Sequence, residues 1–584
     1  MTRMAKRNEK AAFKFAVITD THIRSPLGDQ SSPYAVNEKA NGRARFAVHL
    51  LQQLEHEFVV HLGDMVHPLP HMDAYQAAAD EAHRIFRPLT PDLYFVPGNH
   101  DSGDKKSDVS PAGAANAQSV ASYEAAFARS HYCFEHQDIL FIIINSSLIN
   151  GETDEEESQR AWLLETIAQA KGKRMFLFSH YPPFICYPDE GAHYDNYAEP
   201  GRHWLLDLAA DAGIEAIISG HVHHFFINHY RSVTLYCLPA TSFTRQDFSV
   251  LFRGPAPAEF GRDDRSKFGV TLFHVDPRGH HIEWVPTDGT EQEPAEPDPA
   301  LPKPYLKIPR LIPSLRHSWY HASALPANGP MEEFSRKFAR NDYPILRLLQ
   351  FGVETVRVPL ADLLSESGAD RMNLLHRLGL RFVVFTDSVP DHASLLALQS
   401  FRSAIHAVEI VSLTPAAVDV AALADRHIPI WLSKITTSAD QTDQSKPFAH
   451  TVTTGCLPGE MKDIAGQFAR SAAVNDLTLV VQCPWAGEAM PDKIESIIDQ
   501  WQDLPHNRLK LALNIRFAAT NPAESNNEAM QIAQTIMAAN KCASESPDIT
   551  FVLDTFESFD RGYHPRLGLI DTLSNIPDWF PRQV

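Results

Sequence analysis

The sequence contains no uninterrupted apolar run approaching the roughly 20 residues that a bilayer crossing requires. Residues 1–12 are charged and lack the apolar centre of a secretory signal. We therefore expect neither membrane insertion nor secretion, and the expected compartment is cytoplasmic.

Cysteine is scarce, and positive charge is outnumbered by negative charge. Six cysteines are scattered along 584 residues without a Cys-x-x-Cys pair, which argues against a disulfide framework and against thiolate zinc sites. The chain has 52 Lys and Arg against 72 Asp and Glu, giving a net charge of −20. This balance argues against a nucleic-acid surface and against docking on an anionic membrane. A small anionic substrate remains compatible, because bound metal ions dominate the local field of a site.

The length and composition indicate a globular protein of two or three domains, with 44% hydrophobic and 21% charged residues. Residues 286–309 break the alternation of apolar runs and are rich in Pro, Glu and Asp, which is typical of an extended linker. We therefore predict one domain over 1–285, a linker over 286–309 and a second domain over 310–584. Both domains alternate strand-like and helix-like segments, as in the α/β class.

Five short motifs rich in Asp, His and Asn each follow a short apolar run of β-strand type. They are Asp20-Thr21-His22, Gly63-Asp64, Gly98-Asn99-His100-Asp101, Ser179-His180 and Gly220-His221-Val222-His223. Carboxylate, amide and imidazole ligands suit Mn, Fe, Zn or Ni better than a metal selected by thiolates. Two such ions need a bridging carboxylate, and the pair can then hold a phosphoryl group.

Each motif alone has an ordinary explanation. Asp64 after a glycine could cap a turn, and a single histidine such as His22 or His180 is more often packed or exposed than a ligand. His221 and His223 alternate in an extended stretch, so both side chains can reach one face, but such pairs also occur by chance. The ordered combination at five strand ends is what favours a metal site.

The ordered set of motifs resembles the calcineurin-like metallophosphoesterase superfamily over roughly residues 13–275. The resemblance implies a four-layer αββα sandwich and two divalent or trivalent transition-metal ions, of Mn, Fe or Zn. It implies that the first ion is bound by Asp20, His22 and His223, the second by Asn99, His180 and His221, and that Asp64 bridges them. His100 would not be a ligand but would stabilise the transition state or protonate the leaving oxygen, with Asp101 orienting its ring.

The implied reaction is hydrolysis of a phosphoester by in-line attack of a metal-bound hydroxide. Residues 20–23 and 180–183 resemble the bacterial cyclic-nucleotide and glycerophosphodiester branch, which favours a phosphodiesterase acting on a small organic diester. Tyr181 stands where many members of that branch carry a second histidine, so the substrate stays open. The alternatives are a phosphomonoesterase, or a non-catalytic metal-binding scaffold whose C-terminal domain recognises a partner or carries a second activity.

Four side chains are candidates for substrate contact: Arg24, Tyr181, His193 and Tyr194. Arg24 could meet a phosphate oxygen or pair with a surface acid. The tyrosines and His193 belong to a polar and aromatic stretch that suits an organic group, although packing of a surface loop explains it nearly as well. The family pattern assigns no role to His61 or His67, which we expect to be core or rim histidines.

The second domain contains eight apolar strand-like runs, most of them separated by helical stretches, which is the count of a TIM-like (β/α)8 barrel. The runs cover residues 355–358, 382–385, 407–411, 428–432, 449–452, 477–481, 509–515 and 549–553. The side chains expected at their C-terminal ends are Asp387, Ser433, Lys434, Thr453, Gln482, Asn514, Arg516 and Asp554. A glycosidase needs two carboxylates across a sugar-sized gap, and these strands offer Asp387 and Asp554 but no Glu at the ends of the fourth, sixth or seventh strands. We favour a non-catalytic barrel that covers the metal site, builds a homo-oligomer or binds the organic half of the substrate.

Overall fold

The structure is a computed structural model in which two compact units are distinguished, residues 1–302 with 322–346 and residues 303–321 with 347–584. It describes residues 12–28, 35–106, 113–245, 265–291, 303–316, 319–326, 336–418, 427–437, 440, 452–468, 477–504, 509–517, 529–558 and 567–583. Of the predicted linker 286–309, residues 292–302 lie outside these ranges, and the domain boundaries remain a prediction. Among the described helices, none has the length and apolarity that a membrane crossing requires.

The first unit is built on two mixed β-sheets. Its main strands are β1 (Phe13–Ile18), β2 (Val59–His61), β3 (Leu93–Phe95), β4 (Tyr132–His136), β5 (Ile139–Ile143), β6 (Arg174–Phe178), β7 (Ala216–Ser219), β8 (Phe226–Tyr230), β9 (Val233–Cys237), β10 (Gly269–Asp276) and β11 (Gly279–Pro286). One sheet has the order β11-β10-β1-β2-β3 and the other β4-β5-β6-β7-β9-β8. Strands β1, β2 and β3 are parallel in the first sheet, as are β5, β6, β7 and β9 in the second.

Aromatic side chains join the inner faces of these two sheets. Phe15 stacks on Phe273 of its own sheet and meets Phe141 and Phe176 of the other sheet edge-on. The strands are therefore covered on both faces, which explains why β5 reads Ile-Leu-Phe-Ile-Ile and is buried throughout.

Helices cover the outer faces of the two sheets. The helices of the first unit before residue 300 are α1 (Ala40–Gln53), α2 (Tyr75–Phe86), α3 (Asn99–Ser102), α4 (Ala117–Ala126), α5 (Asp154–Gln169) and α6 (Gly201–Ala212). Helix α1 buries Ala44, Ala47 and Leu51, at helical spacing, against the first sheet together with α2. Helices α5 and α6 pack on the second sheet. The predicted four-layer αββα arrangement is confirmed.

The rest of the chain contributes a second set of strands and helices. The strands are β12 (Leu311–Pro313), β13 (Ser323–Ala324), β14 (Phe338–Ala339), β15 (Thr355–Pro359), β16 (Arg381–Thr386), β17 (Ile405–Ser412), β18 (Ile430–Thr437), β19 (Val452–Thr454), β20 (Leu477–Cys483), β21 (Leu509–Ile515) and β22 (Ile549–Leu553). The helices are α7 (Tyr343–Gln350), α8 (Leu360–Leu364), α9 (Glu366–Arg377), α10 (His392–Ser400), α11 (Met461–Phe468), α12 (Met490–Gln502) and α13 (Ala529–Glu545). Strands β13 and β14 form a two-stranded ribbon within the first unit.

The second unit contains a barrel of eight parallel strands. Its order is β12-β22-β21-β20-β18-β17-β16-β15, and a bridge between Ser314 and Arg357 brings its two ends together. An apolar layer fills the barrel, with Ile312, Val383, Ala407, Trp431, Val480, Ala512 and Val552 each supplied by a different strand. The predicted (β/α)8 barrel is confirmed.

One predicted barrel strand is wrong. The run over 449–452 was expected within the barrel, but Val452 begins β19, which pairs antiparallel with β18 as a side hairpin; residues 449–451 lie outside the described ranges. The eighth strand of the barrel is instead β12, which was not predicted and which pairs with β22. It was overlooked because three residues ending in proline give almost no periodic signal.

Candidate metal centre

The five motifs lie where strands β1, β2, β3, β6 and β7 end, at one edge of the two sheets. Several residues there have backbone angles that side chains other than glycine seldom adopt. The positive φ angles, between 45° and 67°, belong to Asp20, His22, Asp64, His221 and His223. Each such residue costs about 1–3 kcal/mol and persists where the surroundings fix it, typically at functional sites.

Two glycines allow these loops to pack against one another. A Cβ on Gly98 would lie 2.2 Å from the backbone nitrogen of Asp64. A Cβ on Gly220 would lie 2.0 Å from Thr19 Oγ1 and 2.7 Å from Asp20 Oδ2. Glycine is therefore required at both positions to bring the acidic side chains close to the histidines.

One group of ligand atoms gathers between the ends of β1 and β7. Asp20 Oδ1 lies 3.2 Å from His223 Nε2, and the Nε2 atoms of His22 and His223 are 3.1 Å apart. Asp64 Oδ2 approaches His22 Nε2 to 3.6 Å. The three residues Asp20, His22 and His223 could hold a metal ion together.

A second group gathers on the other side of Asp64. Asp64 Oδ1 lies 3.3 Å from His180 Nε2, and Asn99 Oδ1 lies 3.0 Å from both His180 Nε2 and His221 Nδ1. Asp64, His180 and His221 could likewise hold an ion. Asp64 thus directs one carboxylate oxygen toward each group, which is the geometry a bridging ligand requires.

The chemistry of these atoms fits cations. The Nδ1 atoms of His180 and His223 donate to the carbonyls of Leu62 and Phe243, at 2.8 Å and 2.7 Å. Their Nε2 lone pairs therefore face the oxygens of Asp64, Asn99 and Asp20, which are also acceptors.

Burial strengthens this arrangement. It holds the pKa of His22 and of His221 well below that of a free imidazole, which leaves both rings neutral with a lone pair to donate. Asp20 Oδ1 is buried and has no hydrogen-bond partner among the described residues. Converging lone pairs of this kind fit two transition-metal ions.

The comparison with protein families agrees with this geometry. The family model described as calcineurin-like phosphoesterase matches residues 13–225. Residues 13–225 form a calcineurin-like phosphoesterase domain.

Curated relatives match the phosphoesterase domain at low sequence identity. A bovine protein named serine/threonine-protein phosphatase CPPED1 is 24% identical over 187 residues, which are 31% of this chain and 57% of that protein. The mouse protein of the same name is 27% identical over 175 residues, 29% of this chain and 53% of that protein. The chain thus spans about half the length of the curated relatives it matches. Among solved structures, a purple acid phosphatase from yellow lupin aligns with 49% of this chain and 53% of its own, at 14% identity and a TM-score of 0.34.

The phosphoesterase domain orients His100 differently from the expectation. The Nδ1 atom of His100 hydrogen-bonds to the carbonyl of His67, and its ring lies edge-on to His22 with centroids 4.8 Å apart. Asp101 was expected to orient this ring, but its carboxylate accepts from the backbone amides of Gly98 and Val66, at 2.9 Å and 3.3 Å. Asp101 therefore holds its own turn and the loop at Val66 rather than the imidazole, because each of its oxygens accepts from a backbone amide.

His67 lies beside the ligands of the candidate metal centre, although it was expected to be a core or rim residue. Its Nδ1 atom is 3.2 Å from Nδ1 of His22, and His22, His67 and His100 form a third cluster of potential ligands. The backbone carbonyl of His67 that orients His100 has no signature in the sequence.

The four residues expected to contact substrate lie in different surroundings. Tyr194 is half-buried beside the second group, where its hydroxyl accepts from Asn99 Nδ2 at 3.2 Å. Tyr181 is fully buried, and its hydroxyl donates to Asp104, so its polar atom is already used. His193 packs within its loop against Glu190 at 3.2 Å. Arg24 exchanges backbone hydrogen bonds with the Asn41 side chain. Of the four, Tyr194 hydrogen-bonds to a predicted ligand, Asn99.

A buried ion cluster behind His221 was not identified from the sequence. Asp195 Oδ1 lies 3.7 Å from His221 Nε2, while its carboxylate binds Arg245 and, at 2.9 Å, Lys337 Nζ. Burial alone would raise the pKa of Asp195, but Arg245 and Lys337 hold it well below its usual range. The carboxylate is therefore charged and faces His221 Nε2, which makes no hydrogen bond to the described residues.

Lys337 reaches the phosphoesterase domain from a late part of the chain. Nearby, Arg340 Nη2 donates to Asn228 Oδ1 at 2.8 Å, and Asp342 Oδ2 accepts from the amide of Ile227 at 2.9 Å. These buried bonds fix the segment beside strand β8. Lys337 and Asp195 are 142 positions apart, so no local motif could have connected them.

Proposed function

We propose that the phosphoesterase domain hydrolyses phosphoric esters with the help of two transition-metal ions. The observation that carries the proposal is the pair of oxygens on Asp64, each facing a separate set of buried lone pairs. Asp20, His22 and His223 would hold one ion, Asn99, His180 and His221 the other, and Asp64 would serve both. Mn, Fe and Zn all accept this set of ligands.

The bound ions would polarise the phosphoryl oxygens and stabilise charge that develops in the transition state. The chain's own residues would then position the ester and handle the leaving group. The carbonyl of His67 accepts the Nδ1 proton of His100, so Nε2 is the nitrogen left to face the substrate, and in the imidazolium form it would give its proton to the leaving oxygen. Tyr194, bonded to Asn99, would line the substrate side of the second group.

We infer that the substrate is a small organic phosphodiester in the cytoplasm, as the resemblance of residues 20–23 and 180–183 suggests. A phosphomonoester is the second candidate. It is favoured by the curated relatives, which are named serine/threonine-protein phosphatases. The two classes differ in whether a second organic group must fit beside the ions.

The test is hydrolysis of bis(p-nitrophenyl) phosphate and p-nitrophenyl phosphate by the full chain loaded with Mn, Fe or Zn. Metal content is measured by mass spectrometry on wild type, on Asp64→Ala, and on the exposed control Asp138→Ala. Turnover that disappears with Asp64→Ala, together with loss of bound metal, is the expected result. A preference for the monoester would overturn the substrate class, and full turnover by Asp64→Ala would overturn the mechanism.

A further inference from the structure

The barrel of the second unit has a polar layer directly above its apolar interior. Because side chains alternate along a strand, residues two positions after the apolar layer also point inward. This next layer, toward the C-terminal ends of the strands, contains Ser314, Phe385, Glu409, Ser433, Gln482, Asn514 and Asp554. Arg357 of β15 joins it, since its guanidinium contacts Glu409 and Phe385. We name these eight residues the barrel mouth.

The carboxylates of the barrel mouth are each paired with an arginine, either within the layer or beside it. Arg357 Nε donates to Glu409 Oε2 at 2.5 Å, and both residues are at least 98% buried. Arg316 Nη2 donates to Asp554 Oδ1 at 2.8 Å. Each carboxylate in the layer therefore already has an arginine.

Several other polar atoms of the barrel mouth lack a hydrogen-bond partner in the part of the chain that the structure describes. Among the described residues, no hydrogen bond is made by Ser314 Oγ, Ser433 Oγ, Arg357 Nη2 or Asn514 Oδ1, although all four are buried. Asn514 is held in place through its other atom, because Nδ2 donates to the carbonyl and the hydroxyl of Thr454 at 3.0 Å and 2.9 Å. A buried polar atom without a partner costs about 1–3 kcal/mol. Four in one layer, none of them bonded to a described residue, fit a bound ligand that supplies the partners.

We infer that the barrel mouth binds a small neutral molecule with several hydroxyl groups, such as a monosaccharide or a cyclic polyol. The unpaired set contains one donor, one acceptor and two hydroxyls that can do either. An anion would face the carboxylates of Glu409 and Asp554, and a cation would face Arg357 and Arg316. A neutral polyol supplies both donors and acceptors without disturbing those pairs. The inference does not depend on the activity proposed for the phosphoesterase domain.

The experiment uses the full chain with its metals bound and ligand-observed saturation-transfer NMR. The probes are D-glucose, D-galactose, D-mannose and myo-inositol, with glucose 6-phosphate and gluconate as charged counterparts. We expect at least one neutral probe to bind. Ser433→Ala should weaken that binding about threefold to tenfold, the effect of one hydrogen bond. Ser544→Ala is the matched control, because its hydroxyl bonds to the carbonyl of Asn540 on an exposed helix surface.

A second readout separates binding from folding. Removing an unpartnered hydroxyl takes nothing from the free protein, so Ser433→Ala should leave the melting temperature unchanged or raise it. Ser314→Ala should behave in the same way. Failure of every neutral probe to bind, binding of the charged probes alone, or affinity unaffected by both variants would each overturn the inference.

Discussion

The metal centre and the barrel mouth both gather buried polar side chains at the C-terminal ends of parallel strands, but they differ in what is left unpaired. In the metal centre the converging atoms are acceptors, with the Nε2 lone pairs of His180 and His223 facing carboxylate and amide oxygens. In the barrel mouth the charges are already matched, as in Arg357 with Glu409. Unmatched acceptors require cations, whereas matched charges with leftover hydroxyls suit a neutral ligand. The unpaired atoms of a site thus indicate the chemistry of its ligand.

The largest effect is expected from His100, which would show that the metal centre does chemistry beyond binding. His100→Ala should lower kcat by about 10²- to 10⁴-fold, the usual contribution of a general acid. Bound metal should stay at the wild-type level, because His100 is not among the expected ligands. The exposed His392→Ala is the control. An unchanged kcat would remove His100 from the mechanism.

The ion pair between Arg357 and Glu409 provides the corresponding test for the barrel mouth. Arg357→Met leaves Glu409 buried and unpaired, which should lower the free energy of unfolding by about 3–5 kcal/mol. Replacing both residues with Met should recover most of that loss. Chemical unfolding of the single and double variants measures this. Equal stability of the wild type and the single variant would show that the pair is not desolvated.

Metal binding should stabilise the protein through the metal centre alone and not through the barrel mouth. Manganese at a free concentration about 100 times its Kd should raise the free energy of unfolding by about 2.7 kcal/mol. The stabilisation should vanish in Asp64→Ala and survive in Ser433→Ala. Thermal unfolding with and without a chelator measures it. Loss of the effect in Ser433→Ala would contradict the separation of the two sites.

Weakening the ion cluster behind His221 should lower the metal affinity of the centre without abolishing it. Lys337→Met removes one of the two cations that hold Asp195, and metal affinity should fall about 10- to 100-fold, as is typical when a group that orients a ligand is lost. Isothermal titration of manganese into the metal-free protein measures the change. Lys173→Met, which removes a surface ion pair with Glu135, is the control. Affinity equal to that of the wild type would show that Asp195 does not act through His221.

The smallest effect concerns a paired charge in the first unit, away from the metal ligands. Burial disfavours ionisation of Glu215, but His280 and Arg174 outweigh it and lower the pKa from 4.5 to about 2. The stability that this pairing adds is complete above pH 4.5 and is lost as the pH falls toward 2. Glu215→Gln should therefore flatten the dependence of stability on pH in that window. Unfolding at several pH values compares the two proteins, and identical slopes would contradict the prediction.

The sequence alone was sufficient to predict the features that depend on short, local motifs. The seven expected ligands lie in short motifs after strands, and the structure brings all seven together. The sandwich and the barrel follow from apolar runs of ordinary length. Strand β12 was missed because three residues carry no period, and β19 was misassigned because a hairpin strand and a barrel strand look alike in a short apolar run.

What the sequence could not supply depends on distant or backbone contacts. The carbonyl of His67 orients His100, and any residue has a carbonyl. Asp195 meets Lys337 through folding alone, and the unpaired hydroxyl of Ser433 is recognisable only once its neighbours are known. Such features follow from the tertiary arrangement.

The late position of Lys337 has a consequence for biosynthesis. When residues 1–285 have left the ribosome, all seven expected ligands and Arg245 are present, but Lys337, the second cation beside Asp195, is still to come. The nascent chain would therefore bind metal weakly until residue 337 emerges. Maturation of the centre would then be timed by translation, and a chain ending before that codon would lack one of the two cations that hold Asp195.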